Sequence, residues 1–222
     1  TPAYAQIFQW VHALPWEVFL WIWDAILLAI LFKWARWWTL ALLALPPVAL
    51  ELYHGNIHVF MAAAMVVGFR YPVAWIFPML SKVTPGLAVV WFLGRRDYRS
   101  FAIAAGSTAV ICAISFAIAP QYWFDWIATM RDAIGFRPET PYPVDIPFQY
   151  RAIAAVALAL WGGWTNRRWV VPVAGMLALP IIWWHGFAML LGVIPLLRQT
   201  RTEDQYRSAE PSTSPNSAIA RP

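Results

Sequence analysis

Residues Pro72 to Leu93 read PVAWIFPMLSKVTPGLAVVWFL, an apolar block interrupted at its middle by Ser81-Lys82-Val83-Thr84-Pro85. One straight membrane helix needs roughly 20 apolar residues, and the block is long enough for that. The interruption argues the other way. An ammonium deep in a bilayer is costly, and Pro85 removes a backbone donor and breaks a helix. Two readings follow: a single kinked pass, or a hairpin whose two limbs turn near Lys82–Pro85. Each limb would hold about ten residues, too short for an ordinary span. Such backbone is tolerated only where protein or a water-filled cavity surrounds it. Charge favours the hairpin. Arg70 precedes the block and Arg95, Arg96 and Arg99 follow it. Cytoplasmic loops collect Lys and Arg, and the hairpin keeps both groups on one side.

Similar blocks lie on either side. Trp16–Phe32 is closed by Lys33 and Arg36, and a block from about Trp37 to Tyr53 must kink or break at Pro46-Pro47. Ile57–Phe69 and Phe101–Ala119 follow, then Ala152–Trp164, Trp169–Trp184 and Phe187–Leu197. Between them runs a mixed loop, Gln121–Arg151. Its first half, through Ile134, reads as an amphipathic helix on the membrane surface. Its second half carries Pro138, Pro141, Pro143 and Pro147 and reads as extended and kinked. The expectation is an all-α polytopic transmembrane helical bundle of about 8–9 short passes. It forms one domain, residues 1–197. Residues 198–222 are Ser-, Pro- and charge-rich and read as a disordered cytoplasmic tail.

Composition agrees with a lipid solvent. The chain is 61% hydrophobic and 12% charged, against roughly a quarter charged for soluble domains. Its 16 Trp suit the membrane–water interfaces. The net charge of +5 sits in loops between apolar blocks, so it implies membrane orientation and no nucleic-acid partner. The single cysteine, Cys112, lies in an apolar stretch, so neither an internal disulfide nor a cysteine metal site is suggested. No metal or cofactor is expected. The chain opens at Thr1 without a signal peptide, and it is expected to be the C-terminal part of a longer protein.

With all basic clusters in the cytoplasm, five polar segments converge on the extracytoplasmic side. They are Thr1–Pro15, His54–Asn56, Lys82–Pro85, Gln121–Tyr150 and His185–Gly186. Lys82 reads as a point charge for a substrate phosphate, with snorkelling from a helix end as the bland account. His185 suits phosphate contact or acid–base work, or else it is an interfacial histidine in a Trp belt. His54-Gly55-Asn56 is a turn in which Asn56 offers donor and acceptor atoms. His58 reads as an ordinary helix residue. Glu51 and Asp24 are intramembrane carboxylates, functional candidates by default; for Asp24 a bond to a neighbouring helix is the bland account. No Walker, Rossmann, HExxH or nucleophile-elbow motif appears.

Four stretches together resemble glycosyltransferase family 87. Thr1-Pro2-Ala3-Tyr4-Ala5-Gln6 with Leu14-Pro15 resembles its "Y-x-P-x-F…LP" entry to a helix. Gly55-Asn56 stands where the family has a Gly-Gln pair. Lys82-Val83-Thr84-Pro85 resembles its "K-x-x-P" turn, and Leu179-Pro180-Ile181-Ile182-Trp183-Trp184-His185 its "S-P-x-S-W-x-H" motif. Their order and spacing agree. Asn56 replaces the usual Gln, and Leu179 the usual Ser. The resemblance implies a membrane-embedded GT-C enzyme in the cell membrane with an extracytoplasmic active face. Its donor would be a polyprenyl-phosphate sugar, first of all mannose, and its acceptor a glycolipid or glycan. It places His185 at the catalytic centre and Lys82, His54, Asn56, Thr84 and Tyr4 around the substrate. It also implies a catalytic Asp upstream of Thr1, so this chain alone is expected to be inactive. The alternative function class is a secondary transporter or lipid flippase using Lys82 and Asp24.

Overall fold

The computed structural model describes residues 1–133 and 142–209, and these are helical with no strand among them. The helices are α1 (Pro2–Phe8), α2 (Trp16–Ala35), α3 (Thr39–Leu43), α4 (Pro46–Tyr53), α5 (His58–Gly68), α6 (Ile76–Ser81), α7 (Trp91–Gly94), α8 (Tyr98–Ile118), α9 (Pro120–Asp132), α10 (Phe148–Trp164), α11 (Val170–Leu177) and α12 (Val193–Ala209). Short 3-10 stretches join several of them, among them Arg36–Trp38, Pro72–Trp75, Pro85–Val90 and Trp184–Gly192.

Among the described residues two runs are long and apolar enough to cross a membrane, Trp16–Leu43 and Tyr98–Ile118. A third is possible by length if α4 and α5, bent by 103° to one another, count as one broken span. One of the expected apolar blocks, from about Trp37 to Tyr53, divides between two elements. Trp37–Leu43 extends α2, and the rest of that block, as α4, pairs with α5. The reason lies at Leu45, which is extended (φ −79, ψ 128) before Pro46-Pro47. The residue before a proline is driven out of helical geometry, and the prolines then open a new helix at its first turn.

Helix α8 shows what surrounds the bundle. It buries Ala104, Thr108 and Ser115 and exposes Val110, Ile114, Phe116 and Ile118. Small residues face protein and large apolar ones face out, the distribution expected of a helix against lipid tails.

The Pro72–Leu93 hairpin is present. Trp75, early in the first limb, packs edge-on against Phe92, late in the second, with ring centroids 6.1 Å apart. Lys82 leaves the helix in extended geometry (φ −135, ψ 103), which turns the chain. The second limb packs on α10. A Cβ at Gly163 would collide with the Trp91 carbonyl, and one at Gly94 with that of Leu160. These two glycines set how closely α7 and α10 cross.

The polar segments meet at one end of the bundle. The Thr1 hydroxyl donates to the Leu80 carbonyl at 2.8 Å. Gln6 reaches the Ser115 carbonyl, and Tyr142 packs on Trp183. Helix α9 is the amphipathic element expected of the loop's first half. Pro138 and Pro141 lie outside the described residues. Helix α12 runs from Val193 through Arg198 to Ala209. Residues 198–209 are polar enough for solvent but contain no Pro or Gly to stop the helix. The remainder, 210–222, lies outside the described residues.

Replacing Gly163 by Val should lower the melting temperature in detergent by several degrees, because overpacking typically costs about 1–3 kcal/mol. Gly106→Ala, where an added Cβ meets nothing within 4 Å, should leave it unchanged. Equal melting of all three proteins would contradict the close crossing.

Candidate functional site

The site is built on the bend between α4 and α5. Helix α4 ends at Tyr53, and Gly55 adopts φ +58, a left-handed geometry that glycine adopts without strain. The chain then re-enters a helix at His58. The residue preceding it, Ile57, provides no side-chain cap. The cap comes from Glu51 across the bend: its Oε1 accepts from the Val59 N–H at 3.0 Å. A carboxylate at a helix N-terminus satisfies an orphan donor and faces the positive end of the helix dipole.

The second Glu51 oxygen, Oε2, accepts from His58 Nδ1 at 2.9 Å. Glu51 is 0% exposed and His58 1%. The geometry fixes the tautomer. A proton on Nδ1, donated to the carboxylate, leaves Nε2 as an acceptor. The Lys82 Nζ, 2.9 Å away at the hairpin tip, donates to it. The result is a buried chain from carboxylate through neutral imidazole to ammonium. Lys82 has three N–H donors, and His58 takes one; the other two have no partner among the described residues. Thr84, two residues on, carries a buried hydroxyl that is likewise unpartnered.

His185 closes the cluster. Its ring centroid lies 5.1 Å from that of His58 and 5.8 Å from that of His54. His54, more exposed, donates to the Leu50 carbonyl at 2.9 Å. Burial first, and then the neighbouring His58, push the His185 pKa down to about 4. The ring is therefore neutral at physiological pH and free to donate or accept. Among the described residues no three His, Cys, Asp or Glu side chains converge as metal ligands would.

The segment leading to His185 is held by Arg151, which is 5% exposed. Its guanidinium donates to the carbonyls of Leu177, Leu179 and Pro180 at 2.9, 2.6 and 2.7 Å, and to that of Ile146 at 2.8 Å. These include carbonyls that the end of α11 leaves without helical donors, and a cation suits that end of the dipole. Arg151 thus fixes the start of Pro180–His185 without touching the cluster.

Lys82, His185 and His54 come together as the sequence suggested. Asn56 lies in the bend, with its backbone carbonyl accepting from Trp23 Nε1 at 3.0 Å. The Tyr4 ring packs against those of Phe8 and Phe77. Glu51 was only a generic candidate and His58 was read as an ordinary helix residue; both are central. The available signal was Glu51 itself, since a buried carboxylate needs a partner and His58 is the nearest titratable group beyond the bend.

The model of glycosyltransferase family 87 matches residues 1–206. The chain belongs to glycosyltransferase family 87. No curated protein and no solved structure matches it. Membership in family 87 decides between the two function classes in favour of the transferase. The "K-x-x-P" turn of the family resemblance is the hairpin tip carrying Lys82, and its late His motif ends on the ring beside His58.

Lowering pH from about 6.5 towards 4 should destabilise the fold through His185. The unfolded imidazole takes up its proton near 6.5 and the folded one only near 4, so the unfolded chain binds more protons in that window. Melting in detergent across this range should show a weaker pH slope for His185→Gln than for wild type. Identical slopes would contradict the placement of His185.

Proposed function

We propose that the enzyme transfers a hexosyl group, mannosyl first of all, from a polyprenyl-phosphate donor to an extracytoplasmic glycolipid or glycan acceptor. The observation that carries this reading is the Lys82 ammonium, held by Glu51 through His58 with two donors unspent. In the transfer, the acceptor oxygen attacks the anomeric carbon as the bond from that carbon to the phosphate oxygen breaks. Negative charge then grows on the departing lipid phosphate. A preorganised cation aimed at developing charge lowers that barrier.

The parts divide by role. Lys82 faces the phosphate, with Thr84 as a neutral donor beside it. His185, neutral, donates a hydrogen bond to a phosphate oxygen. Glu51 and His58 are positioning residues that fix Lys82 and balance its charge. Glu51 is committed to two donors, so it does not serve as the base for the acceptor hydroxyl. That role belongs to the Asp implied by the family resemblance. The extracytoplasmic orientation rests on the basic residues gathered at the opposite end of the bundle.

The test follows transfer from polyprenyl-phosphate-mannose to endogenous lipid in membranes expressing the enzyme from its complete gene. At matched expression, Lys82→Met and His185→Ala should each lower turnover about 100-fold, or ~2.7 kcal/mol of transition-state stabilisation. Survival of transfer in both variants would remove these residues from the site. Absence of transfer from every polyprenyl-phosphate sugar tried would overturn the donor class.

A further inference from the structure

A cavity with a cationic rim lies at the far end of α5. The helix has 11 residues, so at ~1.5 Å per residue it separates its two ends by about 16 Å. His58 stands at one end and Arg70 just beyond the other. There, α2, α5 and the start of α12 enclose a cavity of about 470 Å³. Its walls are apolar, with Ile30, Trp34, Ala63, Val66 and Val67. Its polar lining is cationic: Lys33, Arg70 and Arg198, with Tyr71 and Gln199 as neutral donors. Among the described residues no carboxylate lines it.

The three cations come from three separate helices or helix ends, and none is spent on an ion pair among the described residues. Arg198 donates through one nitrogen to the Trp34 carbonyl at 2.5 Å, which ties α12 to the end of α2. Its remaining N–H groups are left for a ligand. Arg70 lies over the Tyr71 ring at 5.2 Å. Like charges converge here without a counter-charge among the described residues, at the mouth of an apolar groove. Arg forks match phosphate oxygens in pairs, and basic pockets between membrane helices receive anionic headgroups.

We infer that the Lys33–Arg70–Arg198 cavity binds the phosphate headgroup of an anionic membrane lipid, with an acyl chain along Ile30, Ala63, Val66 and Val67. Apolar walls contiguous with the cations select a lipid over free phosphate. The site lies at the end opposite the Lys82 cluster, and it holds whatever sugar the enzyme transfers.

The test is thermal melting of the purified chain in detergent, titrated with phosphatidylglycerol, phosphatidylcholine or inorganic phosphate. Phosphatidylglycerol should raise the melting temperature; the other two should not. Its apparent affinity should fall about a hundredfold in the triple variant Lys33→Gln, Arg70→Gln, Arg198→Gln, since each cation near a lipid surface contributes about fivefold. Arg70→Gln alone, at an exposed side chain outside the fold's hydrogen bonds, should cost about fivefold, and Arg70→Lys should restore most of it. Equal stabilisation by phosphatidylcholine would overturn the proposal. So would equal stabilisation by inorganic phosphate, which would mark a simple anion site, or unchanged affinity in the Arg70→Gln chain.

Discussion

One carboxylate holds the site together. Glu51 sits in the bend of a broken helix pair, where a buried charge would be prohibitive without partners. It has them on both oxygens: a helix N-terminal amide on one and an imidazole on the other. The first bond allows α5 to begin at His58. The second orients His58 so that its far nitrogen receives Lys82. Without Glu51 the bend would expose an orphan amide, the imidazole would be free to flip, and the ammonium would be buried without a counter-charge. Breaking such a buried arrangement costs about 3–5 kcal/mol. Fold and site therefore share one interaction.

The rest of the bundle delivers partners to that point. The hairpin limbs are too short to cross a bilayer alone, and their place is secured by protein: Trp75 against Phe92, and α7 against α10 at two glycines. Irregular backbone at this depth is acceptable because helices surround it. Arg151 does the same for the chain leading to His185 by collecting loose carbonyls at the end of α11. The two cations thus act differently. Arg151 spends four of its five N–H donors on backbone oxygens, whereas Lys82 keeps donors in hand.

Much of this was readable in the sequence because membrane chains obey few rules. Apolar length, proline position and the placement of Lys and Arg gave the helical bundle, the hairpin at Lys82 and the gathering of polar segments at one end. What they missed depends on bending. His58 looked ordinary because a helical reading from Ile57 onward carries no information about what lies across Gly55. Only the 103° bend brings Glu51 back onto the new helix terminus.

The central claim is that His58 acts only through Lys82. A double-mutant cycle in the mannosyl-transfer assay tests it most directly, using His58→Gln, Lys82→Met and the two together. If His58 serves only to hold Lys82, the double variant should be no slower than Lys82→Met alone, so the two losses should not add. Losses that multiply, with the double variant slower than Lys82→Met by the full His58→Gln factor, would show that His58 acts independently of Lys82 and would contradict the account.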